Sequence, residues 1–175
     1  NLREYHYTLY YYDLAGNLVQ TVPPEGVDIL GSGAFSNGEY DGTTEPNHRM
    51  PTQYKYNALN QVIWQRTPDA GVSEFFYNTE GQLRFSRNAN QVANNDFSYT
   101  KYDEQGRIIE TGESRENING STGTIEDGLN DLNYPSAGWS ITRSFYDEDD
   151  VLIAGTTYMS GESRNLRNRI AATTH

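Results

Sequence analysis

The sequence predicts an all-β fold built from repeated antiparallel β-hairpins. Three observations carry that reading. One phrase recurs along the chain: YYYDLAGNLVQTVPP (Tyr10 to Pro24) returns as YKYNALNQVIWQRTP (Tyr54 to Pro68), FFYNTEGQLRFS (Phe75 to Ser86), TKYDEQGRIIETG (Thr100 to Gly112) and SFYDEDDVLIAG (Ser144 to Gly155). The composition, with 14 Tyr and 16 Gly against 2 Met, favours strands and turns over helices. The residues on either side of each turn pair an aromatic with an aliphatic.

In the first copy Tyr12 is followed by Asp13, and Gly16 stands four residues after the tyrosine. Asp or Asn opening a type I turn, closed by a residue that tolerates a left-handed backbone, makes a three-residue hairpin loop. With Leu14, Ala15 and Gly16 in the loop, Asp13 faces Asn17 and Tyr12 faces Leu18. The second copy repeats this with Tyr56, Asn57, Asn60 and Val62; the third with Tyr77, Asn78, Gly81 and Leu83. The fourth has Tyr102, Asp103, Gly106 and Ile108; the fifth has Tyr146, Asp147, Asp150 and Leu152. Each Gly, Asn or Asp at the left-handed position tolerates that conformation. The adjacent face is predicted to pair Tyr11–Val19, Lys55–Ile63, Phe76–Arg84, Lys101–Ile109 and Phe145–Ile153. Four residues before each tyrosine stands a hydroxyl residue: Thr8, Thr52, Ser73, Ser98 and Thr142.

A sixth, degenerate copy runs from Asn165 to Ile170, with Arg164 where the tyrosine belongs. Tyr40-Asp41 is a decoy, since Thr44 occupies its glycine position and no aliphatic run follows. The tyrosine spacings of 44, 21, 25 and 44 residues place the unit near 22, interrupted by loop insertions at 28–50 and 114–138. The first, rich in Gly and Asn, is expected to lack structure; the second is expected to pack on the sheet through Leu129, Leu132 and Trp139. NANQVANND (Asn88 to Asp96) reads as a short turn region, and helix is expected to be nearly absent except for one turn within Ile125 to Leu132.

A net charge of −11 and a pI of about 4.6 make a nucleic-acid partner unfavourable. There is no cysteine, which excludes disulfides and thiolate metal sites, and no apolar run is long enough for a membrane span. No catalytic, cofactor or metal residue is assigned. Asp147, Glu148, Asp149 and Asp150 fill a hairpin loop without the spacing of a calcium loop. His6, His48 and His175 are scattered, and Glu74, Glu80, Glu110 and Glu113 read as a solvated sheet face. Asn119-Gly120-Ser121 matches a glycosylation acceptor, relevant in a secretory host.

Tyr-Asp, two free residues, Gly, a polar residue and an aliphatic, returning about every 22 residues, resembles the YD repeat of RHS proteins. The resemblance runs from Tyr7 to the C-terminus. It implies hairpins laid side by side into a strip that spirals into a larger hollow shell, as in bacterial polymorphic toxins and toxin-complex cocoons, with teneurins as animal relatives. It further implies a secreted or bacterial cell-surface protein whose shell encloses a toxic C-terminal segment or other cargo. Residues 1–175 then read as one segment of a longer chain, because NLREYHYTLYYYD looks like a strand under way and RNRIAATTH stops mid-pattern. The implied partners are the remainder of that chain, its C-terminal cargo, secretion machinery and surface glycans. Self-cleaving members carry an Asp-Pro motif that this sequence lacks, so that activity is not carried over. The alternative reading is a carbohydrate-binding or adhesin segment, with Tyr5, Tyr7, Tyr10 and Tyr54 free to stack on sugars.

Overall fold

The computed structural model describes residues 6–115, 125, 126, 128–146, 151–153, 156–158 and 170–174. The strands are β1 (Leu9–Tyr12), β2 (Leu18–Val22), β3 (Phe35–Ser36), β4 (Glu39–Tyr40), β5 (Thr52–Tyr56), β6 (Val62–Thr67), β7 (Gly71–Tyr77) and β8 (Leu83–Asn88). After the helix α1 (Ala89–Asn94) come β9 (Asp96–Tyr102), β10 (Ile108–Arg115), β11 (Trp139–Tyr146), β12 (Val151–Ile153), β13 (Thr156–Tyr158) and β14 (Ile170–Thr174). The fold is all-β, and the pairs β1–β2, β2–β5, β3–β4, β5–β6, β8–β9, β9–β10, β10–β11, β11–β14 and β12–β13 are antiparallel.

Two compact units divide the chain, Asn1–Ser73 and Glu74–His175. In the first, the sheet order is β1-β2-β5-β6, so each hairpin lies beside the next in sequence. Among the described residues the buried hydrophobics here are Val22 and Ala34. The first insertion is not without structure. It carries the short hairpin β3–β4 and closes on itself where the Asn47 N–H donates to Asp28 Oδ2 at 3.0 Å and the Arg49 N–H to the Gly26 carbonyl at 2.8 Å. Only glycine fits at position 26, because a Cβ there would lie 1.9 Å from the Arg49 carbonyl oxygen.

In the second unit the order is β8-β9-β10-β11-β14 beyond β7. Its core joins Phe85, Phe97, Tyr99 and Ile125, with Phe76, Leu129 and Tyr134 packed against them. Phe85 meets Phe97 edge-on at 5.3 Å and Tyr134 at 5.8 Å, while Phe97 and Tyr134 stack at 6.2 Å. These are favourable aromatic arrangements. The second insertion therefore packs through Leu129 as expected, with Ile125 and Tyr134 beside it. Ile125 is fully buried, whereas Leu132 is 54% exposed and Trp139 stands in β11, donating its Nε1–H to Glu113 at 3.0 Å. Strand β10 also extends through Ser114 and Arg115, two residues into the stretch read as insertion.

Residues 89–94 form a helix where the sequence reads as a turn. Asn88 caps it by accepting from the Asn90 and Gln91 N–H groups at 3.0 Å, and Gln91 Oε1 accepts from the Asn88 N–H in return. That reciprocal cap satisfies orphan donors, and Asn95 ends the helix in the left-handed region at φ 56°.

The fifth hairpin departs from the expected pairing. Tyr146 lies opposite Ile170, the aliphatic of the degenerate sixth copy, while Leu152 lies opposite Thr157. In this copy the sequence has an aspartate, within four consecutive acids, where the other copies have Gly or Asn. Aspartate tolerates a left-handed backbone less readily than glycine, so this copy's turn phrase is weaker than the glycine-bearing ones. Asp147 and Asp150 themselves lie outside the described residues.

Candidate functional site

The repeated turn is one piece of chemistry used four times among the described residues. In each copy the Gly or Asn N–H donates back to the residue after the tyrosine: Gly16 to Asp13 at 3.1 Å, and Asn60 to Asn57, Gly81 to Asn78 and Gly106 to Asp103 at 3.0 Å. Their φ values are 86°, 59°, 78° and 78°. The side chain after the tyrosine then gathers two more backbone donors. Asp13 Oδ1 accepts from Ala15 and Asn17; Asn57 Oδ1 from Leu59 and Gln61; Asn78 Oδ1 from Glu80 and Gln82; Asp103 Oδ1 from Gln105 and Arg107. Such local capture is why Asp and Asn serve this position alike.

The second atom of that side chain selects the residue four positions on. The Asp13 and Asp103 carboxylates accept from Asn17 Nδ2 at 3.0 Å and Arg107 Nε at 2.6 Å. Asn57 and Asn78 instead donate Nδ2–H to Gln61 Oε1 at 2.9 Å and Gln82 Oε1 at 2.8 Å. A carboxylate is matched with a donor and an amide with an amide. The Asn17 amide, followed by the Asn17 N–H, lowers the Asp13 pKa. Partial burial opposes ionisation of Asp103, but hydrogen bonds and charge from Arg107 outweigh it and lower its pKa.

Tyr12–Leu18, Tyr56–Val62 and Tyr102–Ile108 are Cα partners. Tyr77 and Leu83 flank a turn closed in the same way, by the Asn78 N–H to the Gln82 carbonyl at 3.0 Å. Immediately beyond each of the three paired hairpins the register shifts. Tyr11 lies opposite Gln20, Lys55 opposite Trp64 and Lys101 opposite Glu110, so the predicted partners Val19, Ile63 and Ile109 are taken up by a bulge. Phe145 likewise lies opposite Ala172 rather than Ile153. The shift creates contacts absent from the simple alternation. Lys55 Nζ stands 4.8 Å from the centre of the Trp64 ring, and Lys101 Nζ lies 3.1 Å from Glu110 Oε1.

Tyrosine hydroxyls also tie successive hairpins together. The Tyr56 hydroxyl donates to the Leu18 carbonyl at 2.7 Å, and the Tyr102 hydroxyl to the Leu83 carbonyl at 3.0 Å. Burial raises the pKa of Tyr56, Tyr77 and Tyr102.

Two polar clusters in the second unit had no clear signal in the sequence. Arg84 is buried, and its guanidinium donates to the carbonyls of Thr100 at 2.8 Å, Asp131 at 2.8 Å and Tyr134 at 2.9 Å. It thereby fastens the second insertion to the sheet, and burial lowers its pKa. Glu110 gathers the Tyr99 hydroxyl at 2.9 Å, Lys101 at 3.1 Å and Arg143 at 2.7 Å. Burial opposes its ionisation, but hydrogen bonds from Arg143, Tyr99 and Lys101 prevail and lower its pKa. Burial first, and then the bond to Glu110, raise the Tyr99 pKa. Glu110, which the sequence alone suggests is a solvated carboxylate, is instead largely buried and held by three partners.

An open depression of about 500 Å³ in the first unit is lined by Tyr11, Val19, Gln20, Gln53, Tyr54, Lys55 and Trp64. Of the four tyrosines named for stacking, Tyr54 lies in it, Tyr7 and Tyr10 are exposed, and Tyr5 is outside the described residues. Among the described residues no group of three or more His, Asp or Glu is placed to hold a metal. No helix there is long and apolar enough to cross a membrane.

No family model matches the chain, and no curated protein matches it. The crystal structure of TcdB2-TccC3-TEV is similar, at 17% identity and a TM-score of 0.41, over 95% of this chain. The chain spans 8% of the length of that one.

Proposed function

We propose that this chain is a structural RHS-type repeat segment, part of the wall of a β-shell that encloses a toxin or other cargo of a secreted or cell-surface bacterial protein. The observation that supports this reading is recurrence. The same turn, the same left-handed position and the same side-chain capture of two backbone N–H groups return in four hairpins among the described residues. A wall needs one unit many times, whereas an active site needs one arrangement once. On this reading the segment carries no catalytic residue of its own, and its partners are the rest of its chain and the enclosed segment.

The test is made in the full-length protein, by measuring protease protection of the enclosed segment and its processing. Substitution of Asp13, His6 or Glu110 is expected to leave processing chemistry unchanged, while Gly81→Val should damage folding and expose the cargo. Loss of processing with folding intact, from any of the three polar substitutions, would place the protein among enzymes.

A second reading, glycan binding, is favoured by the depression around Tyr54, where aromatic rings and the amides of Gln20 and Gln53 stand together. Lys55 over the Trp64 ring and the bond from Gln53 to Gln20 at 2.9 Å already engage part of that lining. Titration with soluble glycans, read by tryptophan fluorescence, separates the two: a saturable change lost in Tyr54→Ala supports the adhesin.

A further inference from the structure

The neck of the first insertion is closed around one imidazole ring. The Asn47 and Arg49 N–H groups donate across the neck to the Asp28 carboxylate and the Gly26 carbonyl. Between them stands His48, which is half-buried. Its Nδ1 accepts from the Asp28 N–H at 3.0 Å, and its Nε2 lies 2.7 Å from the hydroxyl of Tyr11 in β1. One side chain thus fastens the neck to itself and to the sheet. Tyr11 also lines the depression of the first unit, beside Gln20, Lys55 and Trp64.

The two bonds fix the protonation of the ring. A backbone N–H can only donate, so Nδ1 is the unprotonated, accepting nitrogen. The single proton of the neutral ring then sits on Nε2 and is donated to the Tyr11 oxygen. Only this tautomer of the neutral ring makes both bonds. An imidazolium carries a proton on each nitrogen, so its Nδ1–H would meet the Asp28 N–H donor against donor. The titratable residues bonded to the ring are Tyr11 from β1 and Asp28 from across the neck, and Arg49 is its charged neighbour in the chain. A phenol stays uncharged near neutrality. The Asp28 carboxylate already accepts from the Asn47 N–H, so a charged ring that turned towards it would compete for a bond that closes the same neck.

We propose that His48 is a proton-operated latch on the first insertion. Neutral, it closes the neck and ties it to Tyr11; protonated, it releases the Asp28 N–H and the neck opens. Histidine is the side chain that ordinarily changes charge near neutrality, at about pH 6.5, so the latch is closed above that range and open below it. Acidification therefore loosens the insertion with its β3–β4 hairpin and leaves the repeated turns in place. The Asn57 turn, for example, holds the Gln61 N–H with an amide oxygen that does not titrate. The latch requires neither enclosure of a cargo nor a bound glycan.

The chain has three histidines, so the His48 ring nitrogens can be assigned by NMR with His6→Gln and His175→Gln as references. At about pH 8 the expected spectrum shows Nδ1 unprotonated and Nε2 protonated. Hydrogen-exchange protection of the Asp28 N–H, corrected for the intrinsic effect of pH, is expected to fall about fivefold between about pH 8 and about pH 5. Protection of the Gln61 N–H should change by less than about twofold over the same range. In His48→Gln the Asp28 N–H should show no pH dependence, whether or not the new amide closes the neck. A proton on Nδ1 at the higher pH, flat protection of the Asp28 N–H in the parent chain, or a pH dependence that survives in His48→Gln would each overturn the proposal.

Discussion

The two units carry the same hairpin turn on very different amounts of core. In the first unit the turns at Asp13 and Asn57 stand beside few buried hydrophobics, which among the described residues are Val22 in β2 and Ala34 in the first insertion. In the second, the turns at Asn78 and Asp103 stand beside a cluster of Phe85, Phe97, Tyr99 and Ile125, closed by an insertion that Arg84 fastens down. Turn geometry is nevertheless shared, with φ of 86° at Gly16 and 78° at Gly106 and matching side-chain captures at Asp13 and Asp103. The difference teaches that the hairpin is specified locally, whereas global stability depends on what is laid across the sheet.

The sharpest way to break the comparison is to empty the core of one unit. Phe97→Ala removes a ring that is fully buried against Phe85 and Tyr134 and should destabilise the second unit by about 3–5 kcal/mol in urea unfolding. Tyr10→Ala, at an exposed site in the first unit, should change stability by less than about 0.5 kcal/mol.

Turn substitutions should instead act alike in both units. Gly16→Ala and Gly106→Ala each place a Cβ at a left-handed position and should cost about 1–2 kcal/mol. Space around them is not limiting, since a Cβ at Gly16 meets nothing within 4 Å and one at Gly106 meets the movable Gln82 Nε2 at 3.2 Å. A loss confined to Gly106, again measured in urea, would show that core and not local geometry sets the turn.

Glu110 gives the second unit a pH dependence. Its folded-state pKa lies below the ordinary glutamate value of 4.5, so its stabilisation is present above that pH and is lost as pH falls through the folded value. Glu110→Gln should therefore cost about 1 kcal/mol at neutral pH, with the gap to the parent chain closing below pH 4.5. A gap that stays constant to acid pH would mean that the carboxylate charge contributes nothing.

The smallest effects concern the stitches. Tyr56→Phe and Tyr102→Phe each remove one hydroxyl-to-carbonyl bond and should cost about 0.5–1.5 kcal/mol, while Tyr12→Phe in the same chain should be close to neutral. Thermal unfolding of the three variants side by side ranks them.

Much of the hairpin chemistry was legible because it is local. A turn phrase of five residues states its own backbone requirement, so the left-handed Asn60 could be read from its position alone. The bulge was not legible, because Val19, Ile63 and Ile109 look like ordinary members of an alternating strand, and nothing in a period of two marks an extra residue. Helix α1 escaped notice because its signal is a polar cap of Asn88 and Gln91 rather than an apolar face. Arg84 and Glu110 are long-range features. Their burial depends on carbonyls and side chains from distant stretches, so the reading of Glu110 as a solvated carboxylate failed. The partner of Tyr146 is Ile170 of the degenerate copy rather than Leu152, a choice between two aliphatic positions that the turn phrase alone does not make.

The central claim is that a local turn, repeated, defines each hairpin whether or not a core lies beside it. Hydrogen exchange at the N–H groups of Asn17, Gln61, Gln82 and Arg107 tests it most directly, since each donates to the Asp or Asn four residues before it. Protection of all four, in both units, is the predicted result. Exchange at free-peptide rates for Asn17 and Gln61, with Gln82 and Arg107 still protected, would show that the turn depends on the core and would contradict the account.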